Sequence, residues 1–162
     1  MRRPSGEQVS LQEVVNIVKN YILDSPEDKY EFTVGTDSQN HYYTKIVRVI
    51  AIHRIGKGGL FFYNSEYVPH IHSLKQKINT ETAKSLELAN GLLDELEYAL
   101  IEDNISLDDL DVEFQIHCDI GTNGKTKELI KEITAWVEAS GYTCLIKPDS
   151  YTASGIANKY SK

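Results

Sequence analysis

Three strand-like runs follow one another between Tyr30 and Val68, joined by links too short for anything but hairpins. "YEFTVGTDSQ" alternates Phe32 and Val34 with polar or small residues, and "YTKIVRVIAIHRI" is dense in Val and Ile. "LFFYNSEYV" follows after the turn "GKGG" at 56–59. Parallel neighbours need a crossover of about a dozen residues or more, so strands joined this tightly run antiparallel. The middle of the chain is therefore predicted to be a three-stranded meander.

The flanking segments switch to helical spacing. Residues 9–23 carry Leu11, Val14, Val15, Val18, Tyr21 and Ile22 on one stripe, and Pro26 stops that helix. A long helix is predicted from Thr80 to Glu102, with Leu86, Ala89, Leu93, Leu96 and Leu100 facing a core. "VEFQIHCD" is a fourth strand, residues 126–139 an amphipathic helix, "YTCLIK" a fifth strand, and "SYTASGIANKYSK" a closing helix. Two strands reached through helical crossovers extend the meander into a mixed five-stranded α/β sheet flanked by helices.

The chain has 17 Lys and Arg against 24 Asp and Glu, a formal charge of −7. Nonspecific binding to a phosphate backbone feeds on positive charge, so a nucleic-acid partner requires clustered cations or a metal. Cys118 and Cys144, with no Cys-x-x-Cys, make neither a zinc site nor a disulfide framework. No apolar run approaches a membrane span, and "MRRPSGEQVS" lacks the apolar stretch of a secretory signal, so the cytoplasm is expected.

"HCDIGTNGKT" at 117–126 imitates a phosphate-binding loop, with Gly124, Lys125 and Thr126 between a strand and a helix. The position of the first glycine is Asp119, whose carboxylate would repel a triphosphate and crowd the turn. Asp119 points instead to a metal. Asp37 in "FTVGTDSQ" occupies the same kind of place, at the predicted end of a strand. Strands lying side by side would bring the two carboxylates together, and a divalent cation is the usual relief of that repulsion. Magnesium suits such a set, since it takes oxygen ligands and keeps several waters.

Glu87, at the border of the long helix's buried stripe, is the third candidate; Glu81 has a sufficient reason as a first-turn residue complementing the helix dipole. Asp149, after Pro148, is either a helix N-cap or a fourth ligand. His117 shares a strand face with Asp119 and reads as a polar sheet-face residue. His70, His72, Lys75 and Lys77 in the loop before the long helix, with Lys125 and Lys127 after Asp119, form a cationic rim or an ordinary solvated surface. Tyr42, Tyr43 and Tyr151 either stack on bases or pack within the fold.

An Asp ending the first strand of a meander, a Glu in the next helix and an Asp ending the fourth strand resemble the ribonuclease H-like superfamily. "GTDSQ", "SLELA", "DIG" and the closing "KPDSY…IANKYSK" are most similar to its YkuK family of predicted nucleases. The resemblance runs from Tyr30 onward. It implies one ribonuclease H-like domain over 1–162, with 1–25 as an added N-terminal helical extension. It also implies two-metal hydrolysis of RNA, DNA or an RNA–DNA hybrid with magnesium or manganese, the ligands being Asp37, Glu87, Asp119 and Asp149. The superfamily often takes its last ligand from an Asp in the closing helix, where this chain has Asn158. That departure motivates the alternative, a non-catalytic nucleic-acid-binding or scaffold protein that keeps the fold.

Overall fold

A computed structural model describes residues 1–149. The elements run α1 (Leu11–Asp24), β1 (Lys29–Asn40), β2 (Thr44–Arg54), β3 (Gly59–Val68), α2 (Leu74–Glu102), β4 (Asp111–His117), α3 (Ile130–Ala139) and β5 (Thr143–Leu145). The segment read as a closing helix, with Tyr151 and Asn158, lies outside the described residues.

The five strands form one sheet in the order β3-β2-β1-β4-β5. The meander is as expected: β1 pairs antiparallel with β2 from Tyr30↔Arg54 to Asn40↔Thr44, and β2 with β3 from Thr44↔Val68 to His53↔Gly59. β4 lies parallel to β1 from Lys29↔Asp111 to Gly35↔His117, and β5 lies parallel to β4. β1 is thus the central strand and outruns β4 by five residues.

Alternation sends Tyr30, Phe32 and Val34 of β1, Ile50 and Ile52 of β2, Phe62 of β3 and Ile116 of β4 to one face, where all are buried. Against them pack Val14, Val15, Val18 and Ile22 of α1, and Ile78, Ala89, Leu92, Leu96 and Leu100 of α2, in one continuous cluster with Ile133 and Val137 of α3. α1 is integral to this core. Ser10 and Glu13 close a capping box at its start. At its end the Tyr30 hydroxyl donates to the Ser25 carbonyl (2.7 Å), and Arg54 donates to the Tyr30 hydroxyl while lying 4.0 Å over the Tyr21 ring.

Two boundaries differ from expectation. α2 starts at Leu74 rather than Thr80, because Ser73 caps it by accepting from the Gln76 amide. α3 starts at Ile130 rather than residue 126, and a 3-10 turn over Lys127–Leu129 precedes it. Among the described residues no helix is long and apolar enough to cross a membrane.

Candidate active site

The sheet sets two carboxylates at matching positions on adjacent strands. The β1–β4 ladder ends at Gly35↔His117, and Asp37 and Asp119 each lie two residues past that row, Asp37 within β1 and Asp119 just after β4. Asp37 is not at the end of its own strand, as the sequence suggested; β1 runs on to Asn40, paired only with β2. The β4 pairing stops at Gly35, so among the described residues no strand pairs with that edge of β1 from Thr36 onward. The β4–β5 pairing continues one step beyond β4, since the Cys118 amide donates to the Leu145 carbonyl (2.9 Å), which fixes the approach to Asp119.

The helix carboxylate here is Glu81. It is 4% exposed, and its Oε2 accepts from both the amide (2.9 Å) and the hydroxyl (2.6 Å) of Ser38, the residue after Asp37. One turn on, the Ser85 and Thr36 hydroxyls are 2.7 Å apart, so α2 is fastened to β1 on either side of Asp37. Burial pushes the Glu81 carboxyl up to about 8. The Ser38 hydrogen bond and Lys77 oppose that rise, while Asp37 and Asp119 add to it. Glu81 Oε1 is buried and has no hydrogen-bond partner among the described residues.

Glu87 is elsewhere. It is exposed, about 1.7 turns further along α2, and lines a groove with Met1, Arg48 and Asn64. Sequence reasoning passed over Glu81 because a helix starting at Thr80 makes it a first-turn residue. With the start at Leu74 it is the eighth residue, on the buried stripe with Ile78, Thr82 and Ser85. The legible signal was Ser73 three residues before Gln76, and a polar stripe spaced by three and four.

Asp119 is partly exposed, and its Oδ1 is 2.7 Å from Lys147 Nζ. Gly121 makes room for that lysine, since a Cβ there would come within 3.1 Å of Lys147 Cβ. Asp149 is exposed, its amide bonded to the Ile146 carbonyl (2.8 Å). It borders a groove of about 470 Å³ with Glu31, Thr33, His53, Gln115 and His117, on the sheet face opposite α2. The phosphate-loop imitation is spent locally, because the Thr126 hydroxyl accepts from the Gly121 amide (3.1 Å). Cys118 and Cys144, distant in sequence, have their sulfurs 3.8 Å apart.

Alternation gives Thr36 and Ser38 to the α2 face and Asp37 to the other. Accordingly, among the described residues no three His, Cys, Asp or Glu side chains are gathered as a ready-made metal cluster. The donor chemistry nonetheless fits a hard divalent cation: carboxylate oxygens, one of them buried and partnerless, beside a cleft of about 10 Å³ lined by Thr36, Glu81, Thr82, His117 and Asp119. That volume is near the lower limit for a single water-sized occupant.

The family model described as Ribonuclease H-like matches residues 13–162, a span that takes in most of α1 as well as the sheet. The chain is 37% identical over 164 residues to Uncharacterized protein YkuK of Bacillus subtilis (strain 168), covering 98% of this chain and 94% of that one. No solved structure matches it. A mixed sheet with aspartates two residues past the last row between its central strand and the parallel neighbour, a helix carboxylate bonded beside the first of them, and a match over nearly the whole length together show that the chain belongs to the ribonuclease H-like family, on its YkuK branch.

Proposed function

We propose that this protein is a metal-dependent nuclease that hydrolyses phosphodiester bonds of nucleic acid at the Asp37–Glu81–Asp119 end of the sheet. The observation that carries this is the shared position of Asp37 and Asp119, two residues beyond the last β1–β4 row, with Glu81 bonded to Ser38 between α2 and β1.

Asp37, Glu81 and Asp119 would hold magnesium or manganese, with Asp149 as a fourth carboxylate from the face that alternation gives to Asp37. The ion supplies charge to stabilise a developing oxyanion and lowers the pKa of a bound water. This chain's residues set the conditions. Glu81, raised to about 8, holds a proton at neutral pH and must release it before Oε1 can act as a ligand. Ser38 orients its other oxygen. Lys147 neutralises Asp119 in the metal-free protein and must yield for Asp119 to coordinate.

A non-catalytic nucleic-acid-binding protein of the same fold is the second reading, favoured by the Lys147–Asp119 pair and by the ungathered carboxylates. Cleavage of labelled RNA, DNA and RNA–DNA hybrid, with and without magnesium or manganese, decides between them. Asp37→Asn, Asp119→Asn and Glu81→Gln are each expected to cut metal-dependent cleavage by on the order of 100-fold or more while remaining folded, since ligands matter at least as much as their supporting shell. Glu87→Gln is expected to leave it unchanged. A wild type that cleaves none of the three and binds no divalent cation makes the chain a binding protein.

A further inference from the structure

The charge of the chain is unevenly distributed. Between Asp37 and Glu81 there is one acidic residue, Glu66, held 2.8 Å from Lys84, against six Lys or Arg and four of the five His; the whole chain has 17 Lys and Arg against 24 Asp and Glu. An acidic protein thus has a basic stretch bounded at both ends by its site carboxylates.

Part of that stretch is built into a defined surface at the sheet end beyond Asp37. At the β1–β2 hairpin tip Tyr42 is 87% and Tyr43 55% exposed, their rings edge-to-face at 5.1 Å. Beside them the exposed His70 and His72 rings lie 4.9 Å apart. These rings are on a fixed frame. Asn40 Nδ2 donates to the Ile71 carbonyl (3.1 Å), the Ile71 amide donates to the Thr44 hydroxyl (2.9 Å), and that hydroxyl donates to Asn40 Oδ1. His70 Nδ1 is 2.9 Å from the His41 carbonyl, so hairpin tip and pre-helix segment form one unit. Lys75 and Lys77 are not in a loop but in the first turns of α2, and Lys77 acts on Glu81. On the other side, the row Gln39–Lys45–Tyr67, with Tyr67 67% exposed, lies next to the row Asp37–Val47–Ser65 on the same face. From Asp37 to the tip at Asn40 is about 10 Å at the usual strand rise.

Aromatic rings this exposed contribute little to the fold, and a rigid set of them beside cations suits unpaired bases and their phosphates. We propose that the β1–β2 hairpin tip, with the segment leading into α2, is a platform for single-stranded nucleic acid that feeds the strand to the Asp37–Glu81 end of the sheet. This deepens the proposed nuclease function and rests on it for the direction of the strand. Tyr42 and Tyr43 stack on bases, while Lys45 and Lys77 track the backbone. Duplex, whose bases are already stacked on each other, lacks the faces these rings would take.

The test is fluorescence anisotropy of labelled oligothymidine, oligouridine and a mixed-sequence duplex in EDTA, where no cleavage occurs. The single strands are expected to bind more tightly than the duplex and to weaken with salt. Tyr42→Ala with Tyr43→Ala should weaken single-strand binding at least about tenfold, Tyr42→Phe with Tyr43→Phe should retain it, and thermal unfolding should be the same for all. Glu87→Gln, in the separate groove with Met1 and Asn64, should bind as wild type does. Equal affinity of the alanine and phenylalanine pairs, duplex preference, or no binding of any oligonucleotide overturns the platform. Metal-dependent cleavage that persists in the alanine pair with unchanged single-strand affinity overturns it while the nuclease stands. Tyrosine-dependent binding without cleavage by wild type leaves the platform standing and removes the nuclease.

Discussion

Glu81 is a carboxyl placed where a carboxylate is expensive. Its folded-state pKa of about 8 against an ordinary 4.5 fixes the sign of its linkage. Below pH 4.5 it is protonated whether the chain is folded or not, and it takes nothing from stability. Between 4.5 and 8 the unfolded chain releases a proton that the folded chain keeps, so stability falls as pH rises, by on the order of a few kcal/mol in all, and levels off above 8. Glu81→Gln keeps an acceptor for Ser38 and carries no charge. In EDTA it should match wild type at pH 4 and exceed it at pH 9, as read by urea unfolding across that range; parallel pH profiles would refute the burial argument. Lys147 is the complementary case. Its pair with Asp119 joins two partly exposed groups at 2.7 Å, so Lys147→Met should change stability by less than about 1 kcal/mol. The same change frees Asp119 and should tighten magnesium binding several-fold by calorimetry.

At the scale of elements, periodicity was a good guide wherever an apolar stripe reaches the element's end. α1 was placed at 9–23 and is Leu11–Asp24; the three meander strands were found in order, because each alternates onto one core face. Capping residues carried more information than was read from them. Ser10 and Glu13 show their value: Ser10→Ala removes the bond that the Ser10 hydroxyl accepts from the Glu13 amide, leaves the backbone bond to the Glu13 carboxylate, and should cost about 1 kcal/mol in chemical unfolding, with the spectrum of the folded state unchanged. Ser73 caps α2 with a single bond from the Gln76 amide, and it sets the helix start six residues before Thr80. That displacement exchanged Glu81 for Glu87. The first turns of α2 escaped notice because Lys75, Gln76 and Lys77 are exposed or half-buried, leaving Ile78 as the first buried apolar residue. α3 shows the same limit: its apolar pattern starts at Leu129, while the Gly-Lys-Thr before it forms a turn held by Thr126 and Gly121.

For the whole molecule, the site is a property of sheet order and register, and only part of that is written locally. Each aspartate could be found beside its glycine, yet their meeting depends on β4 lying against β1 and stopping at Gly35↔His117. A slip of one residue would turn every β4 side chain to the other face, carrying the Glu113 carboxylate onto the core face and taking Ile116, fully buried there, away from it. The core therefore fixes the register, and the register brings like charges together at the sheet's open end. In the proposed site the Lys147 pair offsets part of that repulsion in the metal-free protein, and a cation binding only the folded chain would offset the rest. Asp37→Asn should thus raise the melting temperature in EDTA, by a few degrees if it relieves about 1 kcal/mol in a chain of this size. In wild type, magnesium should raise the melting temperature in proportion to the logarithm of its concentration above Kd, and in Asp37→Asn and Asp119→Asn that rise should vanish. Differential scanning calorimetry of the three proteins over a magnesium series reads both effects. An Asp37→Asn protein less stable than wild type in EDTA, with the same magnesium response, would mean that these aspartates hold the fold together rather than an ion.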